Sequence, residues 1–326
     1  MMYPRWSAPW PATLFPLLAL PTSLSAQRFV SDVDIVEVAR VVGPDELNGH
    51  FISQSRSARL LDSTTIAYVE TLGTRRLTVA NLRTGDGWEV IAGRGVLSDL
   101  HPMSLHGEVF IRGDTLTVVT GEGDYLSFSR SGEVLGRSNI DAPIKTDSLG
   151  GQYLSGITSQ GVPVYHYFEL PPGLSSGSHR VPQGIRVGDQ RHPLEELQVE
   201  VWADQHGRRS QSSPPTHSTR GDLIAYAIPG SHEVTLMSGA TQTTIDVGWP
   251  VEAERIDGSG RTWVRLHQIP VEGDGYGWLV LDSRGAELMR VVPPRHFVDA
   301  FQDWMLTQEY SEPDTLEWAL YRIRER

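Results

Sequence analysis

The chain has no cysteine, which excludes disulfides, thiolate metal sites and cysteine nucleophiles. The same absence rules out the lipid-bearing cysteine of an anchored lipoprotein. Lysine is nearly missing too: Lys145 is the only one among 28 basic side chains. Asn48, Asn81 and Asn139 are the only asparagines. We read both shortages as the codon bias of a GC-rich bacterial genome rather than as arginine chemistry. No apolar run reaches the ~20 residues of a spanning helix, so no transmembrane anchor is expected. No convincing amphipathic helical pattern appears beyond the N-terminal segment. Acidic side chains outnumber basic ones, 40 to 28, for a formal net charge of −12. A surface of that sign repels nucleic acid and anionic lipid headgroups, and neither is expected as a partner.

What is present begins with an export pattern. Arg5 is the only charge in the first 26 residues. Behind it lie the apolar run Leu14-Phe15-Pro16-Leu17-Leu18-Ala19-Leu20 and the small residues leading to Ala26. This reads as a secretory signal peptide cleaved after Ala26. The expected organisation is a signal peptide over 1–26 and one domain over 27–326, periplasmic or secreted and monomeric. Removing the signal takes away Arg5 and no acid, leaving 27 basic against 40 acidic side chains, or −13. Such a domain must be held by its core alone, and its length suffices for one large domain or two small ones.

The stretch Gly113 to Ser138 shows how the rest is built. Leu116, Val118 and Thr120 alternate with Thr115, Thr117 and Val119, the period-2 signature of a strand. Glu122-Gly123-Asp124 turns, Tyr125 to Phe128 returns, and Ser131-Gly132 turns again into Val134 and Leu135. A meander of this size cannot bury its own faces, so it predicts one unit of a repeat. The same grammar recurs from Ala58, with Thr84-Gly85 at the later turn. It recurs from Arg220, with Pro229-Gly230 and Ser238-Gly239, and again from Ile256, with Arg284-Gly285. Between 144 and 215 it is hardest to follow. Gln152–Ile157, Val164–Leu170 and Leu197–Ala203 read as strands and Asp204 to Gly207 as a turn. Pro171-Pro172-Gly173 and the Ser/Pro cluster at Ser210 to Pro215 read as loops.

Six units result, over about 57–95, 103–141, 147–208, 216–249, 252–293 and 297–323 (~50 residues each, the size of a propeller blade). The last is one strand short, and the orphan β-branched strand Val33 to Val42 can complete it. The expectation is an all-β, six-bladed β-propeller whose N-terminal strand closes the last blade, leaving no exposed edge. A β-sandwich, or a pair of them, is the alternative.

The phrases Leu82-Arg83-Thr84-Gly85, Ser129-Arg130-Ser131-Gly132 and Leu281-Asp282-Ser283-Arg284-Gly285, at corresponding places in three units, carry a resemblance. With Ile91-Ala92-Gly93-Arg94-Gly95 they resemble exported bacterial six-bladed propellers of the NHL-repeat style. That group's blade linker continues as GPGEF, where this chain has Val96-Leu97-Ser98-Asp99-Leu100. The resemblance covers most of the mature chain and implies architecture, since most of that group has no assigned activity.

Candidate chemistry is thin. Gly173-Leu174-Ser175-Ser176-Gly177 matches the nucleophile pattern G-x-S-x-G, but that elbow needs a strand before and a helix after it. Prolines precede it and Ser178-His179-Arg180-Val181-Pro182 follows, so it reads as a Ser/Gly loop. Of the eleven histidines, His101 and His106 are the nearest pair, with Pro102 between them. That is not a zinc spacing. Glu122-Gly123-Asp124 and Glu272-Gly273-Asp274-Gly275 put carboxylates in Gly-rich turns, short of a full calcium loop. Trp88, Trp202, Trp263, Trp278, Trp304 and Trp318 lie in or beside strands and are expected to pack between blades.

No catalytic, ligand-binding or metal residue is therefore singled out, and no cofactor is predicted. The expected function is a non-catalytic scaffold whose loop faces bind a protein or small-molecule ligand, with Pro171 to Pro215 the place to look first. The alternative is a divalent-cation-dependent hydrolase resembling the calcium-dependent lactonases, with its site in the central channel. Such enzymes hold calcium with carboxylates and asparagines, and this chain has few asparagines to offer.

Overall fold

In the computed structural model of the chain, the described residues are 29–42, 58–70, 75–99, 105–120, 124–139, 150–171, 173–194, 196–204, 207–212, 216–267, 271, 276–312 and 315–326. Six four-stranded antiparallel sheets stand in a ring, with a three-stranded sheet added to the third. Blade 1 is β2 (Arg59–Leu60), β3 (Thr65–Val69), β4 (Arg76–Asn81) and β5 (Gly87–Ile91). Blade 2 is β6 (Leu105–Arg112), β7 (Thr115–Thr120), β8 (Asp124–Ser129) and β9 (Val134–Asn139). Blade 3 takes β10 (Gly150–Ile157), β11 (Pro163–Glu169), β13 (Gln183–Val187) and β14 (Gln190–Pro193). Blade 4 is β17 (Thr216–Arg220), β18 (Leu223–Ala227), β19 (Glu233–Ser238) and β20 (Thr241–Asp246). Blade 5 is β21 (Val251–Ile256), β22 (Thr262–Leu266), β23 (Trp278–Leu281) and β24 (Glu287–Val291). Blade 6 joins β25 (His296–Phe301), β26 (Trp304–Glu312) and β27 (Thr315–Glu325) to β1 (Val33–Val42). The first strand of each blade lines the centre of the ring. The one helical element among the described residues is a 3₁₀ turn at Gly95–Leu97.

The expected closure is present. β1 pairs antiparallel with β27 from Val33↔Glu325 to Val42↔Glu317, so the outermost strand of blade 6 comes from the other end of the chain. Just before it, the Asp32 N–H donates to the Arg290 carbonyl at 3.1 Å and the Asp32 carboxylate accepts the Arg290 N–H at 2.9 Å, tying the incoming segment to the edge of blade 5. Phe29 is fully buried there and meets Trp249 edge to face at 6.1 Å.

Adjacent blades meet through separate apolar clusters. Leu77, Val79, Leu116 and Phe128 join blades 1 and 2, while Leu60, Tyr68, Leu306 and Trp318 join blades 6 and 1. Between blades 5 and 6, the Phe297 ring stacks on Trp263 at 4.7 Å and tilts against Trp278 at 4.4 Å. Blade 3 is different. Its interface with blade 4 includes the stacked pair His166–His217, at 5.5 Å, and Gly156, where a β-carbon would collide with Thr219.

The region from 144 to 215 departs from the expected single unit. β12 (Gly177–Val181) leaves the blade between β11 and β13 and pairs with β15 (Leu197–Asp204), which pairs with β16 (Gly207–Ser212). Leu170, Leu174, Val181, Leu197, Val199 and Val201 give this added sheet its own core, joined to the blade by Phe168. The sequence reading missed β12 to β14, which are short and rich in Gly, Arg and His. It also took 210–212 for loop, where β16 pairs with the outer side of β15.

Candidate functional site: the channel arginines and the added sheet

Each blade begins with a short hairpin between its first two strands, and all these turns lie at one end of the ring. Arg59 and Arg255 stand one residue in from the last pair of their hairpins and Asp299 two, while Arg220 is itself in the last pair of its own. Asp299, on the inner strand of blade 6, is completely buried. Its Oδ2 accepts the Leu60 backbone N–H at 2.8 Å from blade 1. Three guanidiniums surround it: Arg255 Nε lies 3.3 Å from Oδ1, Arg220 Nη1 3.6 Å from Oδ2, and Arg59 Nη1 3.9 Å from Oδ1.

Two of these arginines also fasten the ring across its centre. Arg220 of blade 4 donates to the Leu60 carbonyl of blade 1 at 3.1 Å, reaching the blade opposite. Arg255 of blade 5 donates to the Ala58 carbonyl at 3.0 Å. Burial pushes the Arg220 pKa down, Asp299 offsets this, and Arg59 adds to the lowering. Gly258 supplies room: a β-carbon there would collide with Phe301 and stand 3.0 Å from Arg220 Nη2.

The neighbouring residue on β21 points the other way. Glu254 is buried between blades 4 and 5, accepts a hydrogen bond from Thr216 Oγ1, and is pushed up to about 8 by burial. A carboxyl in that range is protonated at neutral pH. His166, also fully buried, has its ring Nε2 3.0 Å from Gln183 Oε1, and burial lowers its pKa.

The opposite end of the ring carries the longer connections and the added sheet. Gln198, Glu200 and Trp202 alternate with the buried Val199 and Val201 along β15, so they share its outward face. Gln198 Nε2 bonds Ser178 Oγ at 2.9 Å on that face, and Trp202 is 37% exposed.

The expectations can now be placed. Trp263, Trp278 and Trp318 are buried and Trp304 is partly so, as blade packing requires, but Trp202 is a correction because it lies on the solvent side of the added sheet. Ser175 precedes a strand rather than a helix, and its carbonyl oxygen lies 2.9 Å from His179 Nε2. Asp124 opens β8 and holds Arg137 at 2.5 Å instead of turning the chain. Residues 1–26, Asn48, His101, Glu122, Lys145, Glu272 and Asp274 lie outside the described residues, as does the side chain of His106. Sequence reasoning missed the arginine cluster. Its members are 240 positions apart at the extremes, and the signal available was only a charged residue near the end of several first strands.

No family model matches this chain, and no curated protein does. Among solved structures, a luciferin-regenerating enzyme shares 10% identity over 90% of this chain and 95% of its own, with a TM-score of 0.41. BamB of Moraxella catarrhalis shares 12% over 89% of this chain and all of its own, at 0.33. A Bacteroides fragilis protein assigned as exported shares 8% over 90% of this chain and 95% of its own, at 0.49. Likeness at this level carries no argument about activity. The class of the protein, a six-bladed β-propeller, rests on its own sheet order.

Proposed function

We propose that this chain is an exported propeller in the style of the NHL-repeat group, a binding scaffold over residues 27–326 released by loss of a signal peptide over 1–26. The observation that carries the reading is the added sheet at the loop end, which has its own apolar core and presents Trp202 to solvent. Aromatic side chains on a stiff support are the usual anchors of a protein interface. The N-terminal charge and apolar pattern supports export, and no helix among the described residues is long and apolar enough to cross a membrane.

The channel argues against the cation-dependent hydrolase. Three guanidiniums crowd the buried Asp299 carboxylate, and a divalent cation brought beside them meets like charge. A thermal melt in EDTA and then in excess calcium tests this directly. The scaffold predicts coincident melts. A site filled to 100 times its Kd would add about 2.7 kcal/mol and raise the melting temperature by several degrees.

The scaffold itself is tested by comparing the mature protein with Trp202→Ala for capture of a partner from periplasmic extract. Trp202→Ala is expected to fold normally and lose the captured species. Equal capture by both proteins overturns the assignment of this surface.

A further inference from the structure

The N-terminal segment is fastened before β1 begins, at a seam between two blades to which it does not belong. Phe29 is completely buried and packs with Ala227 and Leu236 of blade 4 and with Val251, Leu266 and Leu279 of blade 5. It forms a parallel bridge with Val271, in the connection between β22 and β23, and meets Trp249 edge to face. The Arg290 guanidinium carbon lies 6.0 Å from the centre of its ring.

From that seam the chain passes blade 5 to reach blade 6. The Ser31 hydroxyl donates to the Val33 carbonyl at 3.0 Å, and Arg326 Nη1 donates to the Ser31 carbonyl at 3.1 Å. With the two bonds between Asp32 and Arg290, residues 29–32 form a strap held at both ends. Withdrawing a fully buried aromatic ring is unfavourable, so the strap stays seated once the ring has closed.

The leader expected over 1–26 ends just short of this strap. Only Gln27 and Arg28 separate Ala26 from Phe29. At ~3.6 Å per residue, the bond after Ala26 stands no more than about 11 Å from the Phe29 backbone. A peptidase draws the chain on both sides of the bond into its own cleft, and so cuts a fastened segment only when that segment opens.

We infer that the Ala26–Gln27 bond is cut before Phe29 seats between blades 4 and 5, and that the seated strap shields the bond in a chain that folds first. The inference rests on the export reading above. Hydrolysis adds one water across the bond, leaving a carboxylate on Ala26 and an amine on Gln27. The interval for it exists because Ser31 is fastened by Arg326 and β1 by β27, both made long after the leader has emerged. Removal of the leader and seating of the strap are thus ordered steps.

The test uses the full uncut chain in detergent micelles with purified bacterial signal peptidase. The enzyme is added either to chain already folded or to chain held unfolded in urea and diluted directly into it. Mass spectrometry reads the appearance of the Gln27 terminus. The folded chain is expected to lose its leader at least about tenfold more slowly. A spacer of about eight Gly/Ser residues between Arg28 and Phe29 adds roughly 15 Å of reach and restores fast cutting without touching a seated residue. Phe29→Ala restores part of it by loosening the strap. Equal rates for folded and unfolded chain overturn the inference. So does slow cutting of the folded chain that the spacer fails to relieve. Failure to cut either form overturns the export reading and this inference with it, while the binding surface on the added sheet is judged by its own test.

Discussion

Gly132 and Trp88 are a single contact made by two blades. The glycine closes the outer hairpin of blade 2 with φ of 88°, and a β-carbon on it would stand 2.8 Å from Trp88 Cδ2 on the outer strand of blade 1. The indole N–H then donates to the Arg130 carbonyl at 2.7 Å in the same turn. Blades 4 and 5 repeat the arrangement, with Gly285 at φ of 89° against Ile245. The recurring glycine thus serves the turn and the seam between blades together.

Gly132→Ala should therefore lose about 1–3 kcal/mol through backbone strain and overpacking. Chemical denaturation checks the loss. In a Trp88→Ala background the cost should shrink to the backbone part, and an unchanged cost in that double-mutant cycle would remove the indole from the explanation.

Asp299→Asn should be more damaging than any surface change of charge. It keeps an oxygen for the Leu60 N–H but removes the negative charge that three guanidiniums surround. Breaking a buried pair in this way costs about 3–5 kcal/mol. A thermal melt of the variant against the parent protein checks the loss.

Glu254 sets a pH dependence. Its folded-state pKa is about 8, above the ordinary 4.5, because burial disfavours the charge. The unfolded chain releases this proton from about pH 4.5 upward, while the folded protein holds it to about pH 8. Stability from this group is thus fullest below pH 4.5 and falls as pH rises to 8, by several kcal/mol in order of magnitude. Glu254→Gln keeps an acceptor for Thr216 and should flatten the curve across that window. The difference between the two proteins' denaturation free energies at pH 5 and pH 8 measures it, and parallel curves would refute the assignment.

Val41 faces Trp318 across the closing ladder, and both are buried. Val41→Asp puts an unpaired charge at that seam. It should lower the melting temperature by at least about 5 °C and expose the edge of blade 6, seen as faster proteolysis near the N-terminus.

The repeat was legible because blade strands are short, alternating and punctuated by turn residues that sequence shows directly. Thr84-Gly85, Ser131-Gly132, Ser238-Gly239 and Arg284-Gly285 each mark a real turn, and each glycine has positive φ. The closing role of Val33 to Val42 was legible from a missing strand in the last unit. Blade 3 was not, because its partners are out of order: β11 pairs with β13 while β12 turns away to β15. Local pattern says that a segment is extended but not which neighbour it takes. The same limit hid the arginine cluster, since Arg59 and Asp299 meet only once the ring closes.

The closing ladder also imposes an order on the making of this protein. Asp34 waits for Arg326, 292 residues later, before their contact can form. During synthesis the first strand therefore stays an unclaimed edge until the final one emerges. A chain that stops short of β27 keeps that edge open, so the first strand finds its partner only after β27 has been made.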